Sequence, residues 1–142
     1  MRRLLTGYML FVLFATGVFS ATVDTVNVFS NKMHKNVKTV IVKPRSYDGQ
    51  TAFPVLYLLH GYSGRYDGWV RDSPHIKELA DHYGIMIVCP DGGFSSWYWD
   101  SPVDSAFQYE TFVSKELIGW VDQHYKTVPS REGRAITGLS MG

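Results

Sequence analysis

The sequence has a single cysteine, Cys89, in 142 residues. One cysteine cannot form a disulfide within the chain, and no group of histidine and cysteine has the spacing of a zinc site. Cys89 ends an apolar run at 85–88, where a buried and unreactive thiol is the usual finding. The sequence therefore predicts neither a disulfide framework nor a metal site, and nothing in it indicates a cofactor.

An excess of charge of one sign is also lacking. Fourteen Lys and Arg stand against thirteen Asp and Glu, which gives a formal net charge of +1. This balance offers no electrostatic basis for binding nucleic acid or an anionic membrane surface. Hydrophobic residues make up 45% and charged residues 19% of the chain, as in an ordinary packed protein. The length suits one domain.

One long hydrophobic run is present, at the N terminus. Two arginines precede the apolar segment 4–19, and Val18 and Ser20 provide small residues before Ala21. This pattern predicts a signal peptide over 1–20, cleaved before Ala21, and hence a secreted or periplasmic protein. A membrane anchor is the alternative. The run is short for a bilayer span, however, and strand-like sequence follows at once, so we expect no stable membrane anchor.

Five segments after the signal have the patterns of strands. Residues 22–29 and 36–43 predict a hairpin or meander whose first strand is a half-exposed edge. Residues 55–59 and 85–89 are apolar on both faces, which is typical of strands covered by helices on both sides. A short strand at 134–137 leads into the last turn.

Two helices separate these strands. Ser73 and Pro74 suit the N-cap and first position of a helix that ends at Gly84. Ser105 and Gln108 form a capping-box pair, which predicts the start of a long helix. Its apolar face consists of Tyr109, Phe112, Val113, Leu117, Trp120 and Val121. Strands that alternate with helices predict an α/β fold with a mostly parallel sheet, in one domain that begins at Ala21.

Residues 138–142, Gly-Leu-Ser-Met-Gly, match the pattern G-x-S-x-G. A nucleophilic serine presented above a sheet must lie on a strained turn after a strand, and flanking glycines let the neighbouring backbone approach closely. Because a predicted strand precedes it, Ser140 is the candidate nucleophile. A glycine-rich turn without catalytic function is the alternative.

A second catalytic element is predicted after the strand at 55–59. In such folds one oxyanion-hole N–H belongs to the residue after the nucleophile, here Met141, and the other lies in the loop after an earlier strand. Gly61 permits the turn that would point the Tyr62 N–H inward. Such donors stabilise the negative charge that develops on a carbonyl oxygen. A plain turn at His60 and Gly61 is the alternative.

An aromatic segment at 94–101 follows the carboxyl end of a strand, where α/β folds bind ligands. Trp97 and Trp99 are candidate substrate-binding residues, since aromatic rings stack on sugar and feruloyl rings. Packing of both tryptophans against the body of the protein explains the segment equally well.

Several motifs occur in one order over residues 22–142. They are Phe53 to Gly61, Asp67-Gly68-Trp69, Pro90 to Gly93, Trp97 to Ser101, Glu110-Thr111-Phe112 and Gly138 to Gly142. Together they resemble the esterase family of α/β-hydrolases that holds esterase D (S-formylglutathione hydrolase), feruloyl, acetylxylan and tributyrin esterases and the mycobacterial mycolyltransferases. The resemblance implies that residues 21–142 are the N-terminal part of an α/β-hydrolase domain and end at its nucleophile elbow. It also implies an acyl-enzyme mechanism, with Ser140 as nucleophile and the Tyr62 and Met141 N–H groups as oxyanion hole.

The sequence departs from that family in its catalytic base. The order Ser, Asp or Glu, His places both partners after the nucleophile, and only Met141 and Gly142 follow Ser140. The five histidines are upstream, at His34, His60, His75, His82 and His124. We expect these to be solvated or packed, and a serine without a base is a poor nucleophile.

Three functions stay open. The full-length protein would be a serine esterase acting on a small-molecule or polysaccharide-linked ester, with feruloyl and acetyl groups as candidates. An acyltransferase of the mycolyltransferase type is the second possibility. The third is that this chain alone is an inactive fragment or a binding module without catalysis.

Overall fold

The computed structural model describes residues 20–142, so the predicted signal peptide lies outside the described residues except for Ser20. The elements in chain order are β1 (Thr22–Ser30), β2 (Lys35–Lys43), β3 (Val55–Leu59), α1 (Gly68–Asp72), α2 (Ile76–Tyr83), β4 (Met86–Pro90), α3 (Tyr109–Thr111), a π-helical turn (Phe112–Glu116), α4 (Leu117–His124), a 3-10 turn (Arg131–Gly133) and β5 (Arg134–Gly138). Over residues 20–142, no helix combines the length and apolar character needed to cross a membrane.

The five strands form one sheet in the order β1-β2-β4-β3-β5. β1 and β2 pair antiparallel, as the hairpin prediction requires, and β2 pairs antiparallel with β4. β3 pairs in parallel with both β4 and β5. The predicted parallel arrangement therefore holds for the β4-β3-β5 half. The sheet as a whole is mixed, because the short turn after β1 reverses the direction of β2.

Helices cover both faces of the sheet. The predicted long helix consists of α3, the π-helical turn and α4, which follow one another without a break. On one face of the sheet it buries Phe112, Leu117 and Val121 against Tyr57 and Val88. On the other face α2 packs Ile76 and Ala80 in a cluster with residues of β2 and β4. This two-sided cover explains why the strand at 55–59 is apolar on both faces, and it confirms the α/β prediction.

Cys89 lies in the second of these clusters and is a free, buried thiol. Burial raises the pKa of that thiol to about 12, because an apolar environment disfavours the thiolate. The prediction of an unreactive core cysteine is confirmed.

The predicted start of the helix that ends at Gly84, which is α2 in the structure, was wrong. Ser73 follows the separate short helix α1, and its N–H donates to the Trp69 carbonyl at 3.1 Å. The helix α2 begins only at Ile76. Its predicted end is confirmed, since Gly84 has φ 59° and ψ 44°, the left-handed conformation that glycine adopts at low cost after a helix.

The capping box was also wrong, although the long helix that it introduced is present. Gln108 is the N-cap residue, and its own side chain makes no capping hydrogen bond. The Gln108 amide instead donates to the carbonyls of Ser101 at 2.7 Å and Asp104 at 2.9 Å. It thus secures the preceding loop, and Ser105 is left exposed.

Candidate active site

Ser140 lies in the turn directly after β5. Its φ is 56°, a left-handed conformation that residues other than glycine seldom adopt. The Leu139 N–H donates to the Leu59 carbonyl at 3.2 Å, and the Gly142 N–H donates to the Leu139 carbonyl at 3.0 Å. The first bond joins the turn to the end of β3, and the second closes the turn itself. A strained serine at the end of a strand is the geometry of a nucleophile elbow.

The two glycines of the motif are needed for this close packing. A Cβ at Gly138 would lie 2.6 Å from the carbonyl carbon of Gly142 and 2.8 Å from the Leu59 oxygen. A Cβ at Gly142 would lie 2.6 Å from the Cβ of Leu59. No side chain fits at either position without moving backbone.

The loop after β3 lies directly against the elbow. A Cβ placed on Gly61 would be 3.5 Å from the Ser140 Cβ and 3.2 Å from the Leu139 oxygen. The next residue is Tyr62, so the structure brings the segment predicted to carry the oxyanion hole beside the candidate nucleophile. In the described part of the chain, neither the Tyr62 N–H nor the Met141 N–H has a hydrogen-bond acceptor. Both amides are therefore free to bind a ligand oxygen.

His60 positions this loop. The side chain is 5% exposed, and its Nε2 accepts a hydrogen bond from the Gly92 N–H at 2.8 Å. Its Nδ1 lies 2.8 Å from the Gly61 carbonyl, which assigns the ring proton to Nδ1 as donor. Because both ring nitrogens have partners, His60 is not available as a base. It is packed, as the sequence predicted.

Two of the other histidines, His75 before α2 and His124 at the end of α4, have partners within their own helices. His75 Nδ1 is 2.7 Å from a carboxylate oxygen of Glu78. His124 Nδ1 donates to the Trp120 carbonyl at 2.7 Å, and the two rings stack with centroids 3.9 Å apart. Residues 20–142 contain no cluster of three or more His, Cys, Asp or Glu side chains that could hold a metal ion.

The aromatic segment at 94–101 has one partly buried ring, Tyr98, and three exposed rings, of which two are the predicted tryptophans. Tyr98 packs edge-on against His60, with centroids 5.8 Å apart, and its hydroxyl accepts a hydrogen bond from the His60 N–H at 3.2 Å. Trp97 and Trp99 are 60% and 52% exposed. Tyr98, and not the tryptophans, thus packs the loop against the body. Substrate binding by Trp97 and Trp99 stays a prediction.

Tyr98 is also a part of the site that the sequence did not single out. Burial raises the pKa of its phenol above the ordinary value. A Cβ at Gly92 would overlap the Tyr98 ring, so the Pro-Asp-Gly-Gly turn after β4 is shaped to receive that ring. The run of adjacent aromatics was the available signal, but it did not show which ring turns inward.

We expect Tyr98→Phe to lower the free energy of unfolding by about 1–3 kcal/mol, because the substitution leaves the His60 N–H without its acceptor. Urea denaturation of the complete gene product measures this difference. Tyr83→Phe is the matched control. Tyr83 is 65% exposed, so its substitution should change stability by no more than about 0.5 kcal/mol. Equal effects of the two substitutions would contradict the proposed role of Tyr98.

A cavity of about 340 Å³ opens beside the elbow. Its walls include Tyr62, Arg65, Trp69, Arg71 and Leu139. The Trp69 indole N–H donates to the Leu59 carbonyl at 3.2 Å, which fixes this wall to the end of β3. The sequence motif Asp67-Gly68-Trp69 pointed to Trp69, but nothing in the sequence showed that Arg71 faces the same cavity.

Comparison with known proteins gives consistent matches. The family model "Esterase: Putative esterase" matches residues 30–142. The chain is 37% identical over 107 residues to Esterase Rv1288 of Mycobacterium tuberculosis, an alignment that covers 72% of this chain and 23% of that protein. It is 35% identical over 109 residues to diacylglycerol acyltransferase/mycolyltransferase Ag85A of Mycobacterium tuberculosis, covering 70% of this chain and 31% of that protein.

Among solved structures, a ferulic acid esterase superposes with a TM-score of 0.75 at 30% sequence identity. The match covers 87% of this chain and 50% of the esterase. The chain thus spans half of that structure and less than a third of each of the two mycobacterial proteins. These matches agree with the α/β-hydrolase fold described above.

Proposed function

Because the chain belongs to the esterase family of α/β-hydrolases, we propose that the complete gene product hydrolyses carboxylic esters through an acyl-enzyme on Ser140. One observation carries the proposal. Ser140 has φ 56° directly after β5, and a Cβ added at Gly61 would lie 3.5 Å from the Ser140 Cβ. This arrangement supports Ser140 as the nucleophile and the neighbouring Tyr62 and Met141 N–H groups as the oxyanion donors.

In the proposed reaction, the Ser140 oxygen forms a bond to the ester carbonyl carbon as a base removes the hydroxyl proton. The negative charge that develops on the carbonyl oxygen is bound by the Tyr62 and Met141 N–H groups. The alcohol leaves with a proton, and water then hydrolyses the acyl-enzyme. The order of the triad in this fold places the base and its carboxylate partner after Ser140, so we expect both beyond residue 142 in the complete gene product.

The acyl group that we favour is aromatic or small. The ferulic acid esterase superposes over most of this chain, and Trp97 and Trp99 expose their rings after β4. Aromatic rings stack on both sugars and feruloyl groups, so a polysaccharide-linked ester suits this surface. The signal-peptide prediction adds the expectation that the enzyme is exported, where such polymers occur.

A panel of p-nitrophenyl acetate, p-nitrophenyl butyrate and methyl ferulate tests the proposal on the complete gene product. We expect hydrolysis of at least one of these esters well above the rate in buffer. No hydrolysis of any ester by a folded, complete protein would contradict an esterase function. A preference for methyl ferulate that disappears in Trp97→Ala or Trp99→Ala would support aromatic recognition, whereas an unchanged preference would exclude it.

Acyl transfer is the second candidate, because the similarity to a mycolyltransferase is close to that with Esterase Rv1288. In a transferase a sugar hydroxyl replaces water in the attack on the acyl-enzyme. Adding trehalose or another sugar during turnover of p-nitrophenyl butyrate should then give an acylated sugar at the expense of free acid. A product that is entirely free acid at every sugar concentration supports hydrolysis.

A third candidate concerns residues 1–142 alone. His60 is fully engaged, and no histidine or acidic residue follows Ser140 in this sequence. We therefore expect this chain by itself to hydrolyse p-nitrophenyl acetate no faster than its Ser140→Ala variant. A clear difference between the two would show that an upstream residue serves as the base.

A further inference from the structure

Ala21 directly precedes β1 and is held there by packing and by a hydrogen bond. The residue is 4% exposed, and its side chain belongs to the cluster under α2 that also holds Ile76 and Ala80. The Ala21 backbone nitrogen lies 3.1 Å from Oδ2 of Asp81. The other carboxylate oxygen of Asp81 accepts a hydrogen bond from the Arg45 N–H at 2.6 Å. Asp81 thus joins the first residue before β1 and the turn after β2 to one helix.

Ala21 is also the residue before which the signal peptide is expected to be cut. Ser20, on the other side of that bond, is exposed, whereas Ala21 is 4% exposed. Cleavage of this bond would change the Ala21 nitrogen from a peptide N–H to a charged amine.

We propose that cleavage of the Ser20–Ala21 bond creates an α-ammonium group that forms an ion pair with Asp81, so that export fixes the edge strand β1 to helix α2. In the cleavage step, a signal peptidase breaks the peptide C–N bond with one water. The water oxygen ends in the Ser20 carboxylate, and the Ala21 amine gains the protons that make it an ammonium. The donor to the Asp81 carboxylate thereby changes from an uncharged peptide N–H to a cationic ammonium, so the hydrogen bond becomes one between opposite charges.

The surrounding charges allow this pair. Lys43, which lies opposite Thr22 in the register of β1 and β2, is engaged with Asp24 at 2.8 Å. On α2, Lys77 precedes Asp81 by one turn and His82 follows it. Arg45 offers its backbone N–H to the carboxylate, while its side chain is exposed. Asp81 is therefore the carboxylate that faces the Ala21 nitrogen.

The pair has a defined pH dependence. Asp81 favours the charged amine, so the pKa of the folded α-ammonium lies above its ordinary value of about 8. Its contribution to stability is fully present below that ordinary pKa, and it is lost as the pH rises through the raised pKa of the folded state. The loss is therefore expected on the alkaline side of about pH 8.

The first test is the mass of the N-terminal peptide from the exported protein, expressed from its complete gene with its own leader. The proposal requires Ala21 as the first residue. Any other mature N terminus overturns it.

The second test compares complete proteins that begin at Ala21 with proteins that carry a Gly-Ser extension before Ala21, each with Asp81 or Asp81→Asn. For the Asp81 proteins, we expect the free amine to raise the folded-to-unfolded ratio about tenfold at pH 7 relative to the extended form, an effect equal to one pKa unit. With Asp81→Asn this advantage should vanish. Glu78→Gln, an exposed carboxylate on the same helix, should leave the advantage intact.

Equal stability of the free and extended Asp81 proteins would overturn the proposal, and so would an advantage of the free amine that Asp81→Asn does not remove. If Asp81→Asn does not fold, the pH dependence of the stability difference between the two Asp81 proteins still tests the proposal. The advantage of the free amine must decrease from pH 7 to about pH 10. An advantage that is constant over this range would contradict an ion pair. None of these measurements depends on ester hydrolysis.

Discussion

Replacing Ser140 with alanine should reduce ester hydrolysis by the complete gene product at least ~10³-fold, with KM little changed. The substitution removes the hydroxyl that we propose forms the acyl-enzyme, while the Tyr62 and Met141 N–H groups and the cavity wall stay in place. The residual rate then reflects binding and the oxyanion site alone. Steady-state kinetics with p-nitrophenyl esters measure the loss, and circular dichroism verifies the fold.

Ser105→Ala is the matched control for this experiment. Ser105 is exposed in the loop before the long helix and does not cap that helix. Its substitution should leave kcat/KM within about twofold of the parent and stability within about 0.5 kcal/mol. Equal activity of the Ser140→Ala protein and its parent would show that the elbow has no catalytic function.

Gly138→Ala should have the second large effect. The added methyl group would approach the backbone of Gly142 and Leu59 to under 3 Å, and backbone atoms cannot move aside as a flexible side chain can. We expect a stability loss of about 1–3 kcal/mol from this overpacking. A displaced Ser140 should also lower kcat by about 10²-fold, since a shift of about 1 Å can cost that much.

Gly119→Ala is the control for the glycine substitution. Gly119 lies inside α4, and a Cβ there meets no atom within 4 Å. Alanine is the better helix former, so this variant should be more stable than the parent by up to about 1 kcal/mol, with unchanged kcat. Retention of parental kcat and stability in Gly138→Ala would contradict the close packing of the elbow on β3.

Much of the fold could be predicted because burial patterns are periodic. The two apolar strands, the hairpin and the face of the long helix follow from side-chain alternation alone. The starts of the helices were harder to predict from the sequence. Serine is a preferred residue at N-caps, but Ser73 ends α1 and does not begin α2. In the predicted capping box of Ser105 and Gln108, the Gln108 amide instead donates to a carbonyl of the preceding loop.

The sequence indicated which two segments meet at the candidate site, since the motif contains Ser140 and the order of the fold points to the loop at Tyr62. The catalytic roles of these residues stay predictions. Contacts between distant segments could not be read from the sequence. The bond between His60 and Gly92 joins residues 32 positions apart, and the inward turn of Tyr98 depends on space left by a glycine in another turn. Such arrangements depend on tertiary packing, which residue types alone do not specify.

Covalent labelling tests the central claim, that Ser140 is the nucleophile, most directly. A fluorophosphonate reacts with an activated serine and stays attached, so peptide mass spectrometry can locate it in the complete gene product. Our proposal predicts one adduct, on the peptide that contains Ser140, and no adduct in the Ser140→Ala protein. Labelling at another serine, or unchanged labelling of the Ser140→Ala protein, would contradict it.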